Sequence, residues 1–237
     1  MRILILSDIH ANIWALQAVE KDAGPVDYVL CAGDCVTYGT RPGETVQWLQ
    51  SHRAIVVRGN HDHAAAFNQH PHAAPQKAHL ALTLRDWTRS KLHDAQLSWL
   101  SRLPLELTWE INGVRFVLVH ATPVDPLYDY RITPKASDDL LEEAGMMTVC
   151  GEVLVVGHTH LPYQRRFWQI KMVNPGSIGQ PLDNDPRAAY AIWDNGQITL
   201  RRTAYPQTEL IRSLDELSLS EDLYVSLRKS FELGRLF

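Results

Sequence analysis

The chain has 237 residues, 45% apolar and 21% charged, with a formal net charge of −4. That size suits one α/β domain with a substantial core, and the apolar share excludes global disorder. No run of Lys and Arg offers an electrostatic footprint for nucleic acid, and no apolar stretch reaches the roughly 18 residues that would suggest a membrane span.

Residues 2–7 read as a strand, and 12–22 as a helix with Ile13, Leu16 and Val19 at helical spacing, stopped by Gly24-Pro25. A second strand at 27–32, a helix near 43–51 and a third strand at 54–58 follow. This βαβαβ order implies parallel pairing. Residues 61–79 carry Pro71 and Pro75 and read as a loop. Helices are expected at 76–90 and 94–102. Strands at 105–110 and 114–119 flank Asn112-Gly113, a strong two-residue hairpin signal. A Pro-rich loop follows, then a helix near 135–146 and strands at 152–156, 163–168 and 170–173. A last hairpin spans 188–193 and 198–203. The final thirty residues read as helix. Their apolar face, Leu210, Leu214, Leu217, Leu223, Leu227 and Phe231, suits packing on the same domain, with a homo-oligomer contact as the alternative. Cys31, Cys35 and Cys150 are an odd count without framework spacing, which suits a reducing, cytoplasmic setting. Cys35 reads as a packed thiol.

Five apolar runs end in residues that ligate metals: Asp8 and His10, Asp34, Asn60, His120, and His158 with His160. In open α/β sheets the ligand site lies outside the carboxyl ends of the strands, so these side chains are aimed at one place. Asp34 has two oxygens and can bridge two cations. Mixed imidazole and oxygen donors suit first-row transition ions. Two such ions about 3.5–4 Å apart can clamp a phosphoryl oxygen during in-line attack. Any one of these residues alone would more often be a packed histidine or a capping Asp; the constellation carries the inference. His63, His70, His72 and His79 form no known finger spacing.

Asp8-Ile9-His10, Gly33-Asp34, Gly59-Asn60-His61-Asp62, His120 and Gly157-His158-Thr159-His160 together resemble the calcineurin-like metallophosphoesterases, in the compact bacterial and archaeal phosphodiesterase branch. The resemblance covers about residues 1–203. It implies an α/β fold, a four-layer α-β-β-α sandwich of two mixed sheets flanked by helices. The domain would run over 1–205, with 206–237 as its C-terminal helical extension. It implies two divalent transition-metal ions, manganese first, with iron, nickel, cobalt or zinc as alternatives. Asp8, His10, Asp34 and His160 would hold one; Asp34, Asn60, His120 and His158 the other. A hydroxide shared by the ions would attack the phosphorus of a small phosphate ester, a nucleotide being one candidate. His61 would protonate the leaving oxygen or stabilise phosphoryl charge, and Asp62 would orient His61 or a nearby loop. Asn12, Tyr38, Gly176, Ser177 and Arg187 fall in matching segments as candidate substrate contacts; a pair with Asp183 or Asp185 is the plainer role for Arg187. Cys35, Thr37 and His63 depart from the family's usual residues without removing a ligand. A catalytically silent metal-binding interaction protein and a nuclease are the alternative functions.

Overall fold

The computed structural model describes residues 1–73 and 77–235. The readings at 74–76 and 236–237 lie outside them. Two five-stranded mixed sheets face each other. The first has the order β10-β9-β1-β2-β3, from Gln197–Thr203, Ala188–Asp194, Arg2–Leu6, Tyr28–Cys31 and Ile55–Val56. β1, β2 and β3 are parallel, and β9 pairs antiparallel with both β1 and β10. The second has the order β4-β5-β6-β8-β7, from Glu106–Ile111, Val114–Val119, Val153–Val155, Ile170–Asn174 and Tyr163–Phe167.

The apolar runs are continuous because both faces of the inner strands are covered. Along β1, Ile3 and Ile5 join Leu30, Phe116, Leu118, Val155 and Trp193 between the sheets. Leu4 and Leu6 point the other way, onto Leu16 and Val19 of α1 (Ile13–Ala23) and Leu49 of α2 (Pro42–Ser51). On the far side, Val117, Leu154 and Met172 pack with Leu141 of a short helix at Asp138–Glu143. Asn112 and Asn195 each adopt positive φ followed by a positive-φ glycine, the geometry of tight hairpins.

Three expectations need correction. Asn60–Phe67 is a helix, α3, rather than part of a loop. Asp62 accepts the Gly59 N–H at 3.1 Å and caps it, and the run Ala64-Ala65-Ala66 supports it. The helix foreseen near 135–146 shrinks to Asp138–Glu143 plus a 3-10 turn at Met146–Thr148. The C-terminal helix is broken. Gln207–Ser213 and a 3-10 turn at Leu214–Leu217 end at Ser218, with φ 50°, before a longer helix at Glu221–Leu233. Leu210, Leu214, Leu217, Leu227 and Phe231 are buried within the chain, against Tyr38 and against Leu80 and Leu84 of Ala78–Lys91. No helix among the described residues is long and apolar enough to cross a membrane.

Candidate metal centre

The ligands lie just beyond the strand ends, where the backbone turns sharply. Asp8, His10, Asp34, His158 and His160 all have positive φ, from 48° to 68°. Such left-handed backbone is uncommon for residues with a Cβ and persists where surrounding structure over-determines it. Here the loops lace to one another. Asp8 N–H donates to Gly33 O at 2.9 Å, His10 N–H to Asp34 O at 3.0 Å and Gly157 N–H to His120 O at 2.8 Å. Asn60 takes its place at the first turn of α3, and His120 directly follows β5.

Asp8, His10 and His160 form one buried group with ligand atoms in mutual reach; Asp34, His120 and His158 form a second. Hydrogen bonds at the far nitrogens fix which atoms face inward. His10 Nδ1 bonds Val36 O at 3.2 Å, and His160 Nδ1 bonds Gln180 O. In neutral imidazoles these nitrogens donate, so both Nε2 atoms present lone pairs, and they meet at 3.1 Å. Two facing lone pairs need a cation or a proton between them. His120 Nδ1 likewise donates to Ala32 O at 2.7 Å. Its Nε2 faces Asn60 Oδ1 at 3.0 Å, His158 Nδ1 at 3.1 Å and Asp34 Oδ2 at 3.4 Å. Asn60 Nδ2 is committed to Pro71 O at 2.7 Å, so Asn60 offers only its oxygen. Asp34 Oδ1 is occupied by the His61 N–H at 2.8 Å, leaving Oδ2 toward both groups, 3.8 Å from His10 Nε2. This donor set, wholly imidazole and oxygen and oriented from behind, fits first-row divalent ions.

Electrostatics follow from the same packing. Burial opposes ionisation of Asp34, yet His120, His61 and His10 hold its carboxyl well below the usual range. Burial would lower His120, but Asp34 overrides it and pushes the imidazole up to about 10. Burial takes His10 and His158 well below the ordinary histidine value. Metal-free protein at pH 7 therefore carries a proton on His120, whereas a ligating His120 must be neutral. Metal uptake at the Asp34–His120–His158 group should release that proton, and affinity should rise with pH up to about 10. Calorimetry in buffers of different ionisation enthalpy measures this release. Zero protons per ion would contradict the assignment.

Two glycines make room for the carboxylates. A Cβ on Gly59 would overlap the Asp34 carboxylate and backbone N, and one on Gly157 would overlap Ser7 Oγ and crowd Asp8 Oδ2 at 2.9 Å. Gly59→Ala is expected to cost about 1–3 kcal/mol by overpacking. That lowers the melting temperature by roughly 2–12 °C for a domain of this size. It should weaken metal binding as well, because the displaced atoms belong to a ligand. Unchanged melting and metal affinity would show that the loop can relax.

Among the other foreseen residues, His61 lines the cavity beside Asp34, His158 and His160. Asp62 does not bond His61. Its carboxylate accepts from Cys35 N, Val36 N and Gly59 N, at 2.8, 3.2 and 3.1 Å, and so clamps the Asp34 loop to the start of α3. Burial and neighbouring Asp34 push Asp62 up to about 7, against these three donors. Asn12 is buried as the N-cap of α1, accepting from Ala15 N and donating to Gly179 O. Ser177 Oγ donates to Asp8 O at 2.7 Å, and Gly176 N–H to Asn174 Oδ1 at 2.9 Å. Arg187 is away from the cavity lining, on the surface in an ion pair with Asp185 at 2.7 Å. His63 bonds Gln69, and His70 accepts from His72 N–H. These histidines join neither ligand group, and no third group appears among the described residues. Cys35 is buried; a hydrogen bond with Cys31 and its burial raise its thiol well above the ordinary value. Tyr38, named beforehand, does line the cavity. Lys77, Tyr130 and Gln180 line it too and were not foreseen. Tyr130 lays its ring 3.7 Å from that of His158.

Fold and site together define a class: a two-sheet α/β sandwich with a cluster of candidate histidine and carboxylate metal ligands beyond its strand ends. The profile of the calcineurin-like phosphoesterase superfamily domain matches residues 1–197, and the chain belongs to that superfamily. A metallophosphoesterase from Sphaerobacter thermophilus superposes with a TM-score of 0.78 at 32% identity, covering 96% of this chain and 98% of its own. The uncharacterized protein MJ0912 of Methanocaldococcus jannaschii is 29% identical over 210 residues, 81% of this chain and 82% of that protein. The phosphodiesterase YfcE of Escherichia coli is 23% identical over 215 residues, 84% of this chain and 91% of that protein.

Proposed function

We propose that the chain hydrolyses phosphate esters of small molecules with the help of two divalent transition-metal ions, manganese first. Asp8, His10, Asp34 and His160 would hold one ion, and Asp34, Asn60, His120 and His158 the other. The observation that carries this reading is the convergence of ligand atoms on Asp34 Oδ2, which lies 3.8 Å from His10 Nε2 and 3.4 Å from His120 Nε2. Such ions, when bound, supply Lewis-acid stabilisation of a phosphoryl oxygen and bring the pKa of a water molecule toward neutrality.

The chain's own residues supply the rest. A cavity of about 210 Å³ opens over the ligands, walled by Tyr38, Tyr130, Leu161 and Leu182, a size suited to a small ester. His61 Nδ1 is buried with no hydrogen-bond partner among the described residues. Burial, against the pull of Asp34, lowers His61 to about 4, so it is neutral at pH 7. A neutral imidazole serves better by donating an N–H bond to a phosphoryl or leaving oxygen than by giving up a whole proton.

The test is hydrolysis of phosphomonoesters and diesters, nucleotides included, by protein stripped of metal and reloaded with Mn, Ni, Zn or Mg. Turnover that depends on added metal is expected. Two ions bound per chain with every ester left intact would favour a silent interaction protein instead.

A further inference from the structure

Lys77, at the N-terminus of the helix Ala78–Lys91, is only 8% exposed and lines the same cavity as Asp34, His61, His158 and His160. Its ammonium donates to Gln180 Oε1 at 2.8 Å and lies 5.0 Å from the centre of the Tyr38 ring. Neither neighbour is an anion, and no carboxylate among the described residues pairs with it. A buried ammonium held only by an amide oxygen and a ring face is poorly compensated.

Its position is nevertheless tightly specified. Ser230 Oγ, in the helix Glu221–Leu233, donates to Leu227 O at 2.7 Å and so accepts from Gln180 Nε2 at 3.1 Å. That sets the Gln180 amide with its oxygen toward Lys77. The Gln180 main chain is held at both ends, its N–H on Ser177 Oγ and its carbonyl on His160 Nδ1. One residue thus fixes a proposed metal ligand and the lysine relative to each other. The C-terminal helix braces that residue.

We propose that Lys77 reads the charge of the substrate. It donates to a second anionic oxygen and gives the site a preference for phosphomonoesters, which carry two negative charges, over singly charged diesters. This rests on the phosphoesterase reading above. Two divalent ions against two ligand carboxylates leave excess positive charge, and Lys77, whose amine burial lowers to about 7, adds to it when an anion beside it holds its proton on. A dianion balances that excess better than a monoanion, and no carboxylate among the described residues is paired with the ammonium to compete for it.

The experiment compares wild type with Lys77→Met and Lys77→Arg, loaded with Mn²⁺, on p-nitrophenyl phosphate and bis(p-nitrophenyl) phosphate. Lys77→Met should lower kcat/KM on the monoester by about 10–100-fold, the range expected for a hydrogen bond to a charged group. The ratio of monoester to diester kcat/KM should fall at least about tenfold, and Lys77→Arg should recover part of it. Inorganic phosphate should bind Mn²⁺-loaded Lys77→Met about tenfold or more weakly by calorimetry, with metal content unchanged. Equal losses on both esters, or undiminished phosphate affinity, would overturn the proposal. If Lys77→Met does not fold, Gln180→Glu places a carboxylate against the amine; the same fall in the ratio is expected, and an unchanged ratio overturns it. Should wild type turn over no ester of the panel above, the phosphoesterase reading fails by itself, and phosphate calorimetry still decides the role of Lys77.

Discussion

Asp34→Asn should give a folded protein that holds almost no metal and turns over substrate at background level. The asparagine is nearly isosteric, and its oxygen can keep the hydrogen bond from the His61 N–H that Asp34 Oδ1 now accepts at 2.8 Å. Its amide NH₂ then replaces Oδ2, facing His120 Nε2 and His10 Nε2, now 3.4 and 3.8 Å from that oxygen. A donor in that place satisfies lone pairs that otherwise meet a cation. Loss of groups that merely orient metal ligands costs about 10–100-fold in affinity or activity. A shared, charged ligand should cost more than that. His120 also loses the carboxylate that holds its imidazole up at about 10, so the proton released on metal uptake should diminish with it. Metal content by elemental analysis, together with a melting curve, separates loss of the site from loss of the fold. Two ions retained per Asp34→Asn chain would exclude the shared-ligand assignment.

His61→Ala should do the opposite: keep both ions and lower turnover by about 10²–10⁴-fold, the range for a positioned proton donor or charge-stabilising group. The main-chain N–H of residue 61 still reaches Asp34, so the ligand geometry survives. Because burial lowers His61 to about 4, its neutral form prevails above that value. Its N–H contribution should therefore be the same at pH 7 and pH 5, whereas a role as a proton-giving imidazolium would make the ratio of wild type to His61→Ala grow as pH falls toward about 4. His61→Gln retains an N–H donor and should recover part of the rate, which a role in full proton transfer would not allow. Metal loss in His61→Ala would place the residue among the ligands instead.

Much of the centre was legible because the strands that carry it are buried on both faces. Ile3-Leu4-Ile5-Leu6 and Val153-Leu154-Val155 read as uninterrupted apolar runs, and whatever follows such a run leaves the sheet at its carboxyl end. Asp8 and His158 stand out against that background. α3 was hidden because its alanines mark no apolar face and Pro71 follows close behind. Asn12 carried a signal for its true role, an Asn directly before a helical pattern, but sat in a segment that also suggested substrate. The i−2 spacing of Asp185 and Arg187 favoured the ion pair that forms. Lys77 and Tyr130 had no local signal, and Gln180 had only its place in the turn-rich segment of Gly176 and Ser177. They come from separate connections between elements, and only packing, including that of the C-terminal helix on Tyr38 and Leu84, brings such residues to one cavity.

Each ligand group draws on both sheets. Asp8 and His10 follow β1 of the first sheet, while His160 follows β6 of the second; Asp34 follows β2, while His120 and His158 follow β5 and β6. Neither layer can assemble a centre by itself. An ion seated in either group would therefore act as a rivet through the sandwich, resisting any slide or splay of one layer against the other. Occupancy becomes a report on tertiary docking: a partly folded chain with one sheet formed has strands but no chelate. Metal that binds only the docked form adds its binding free energy to that docking alone. Stripping it should loosen the contact between the layers before it loosens the hydrogen bonding within either one.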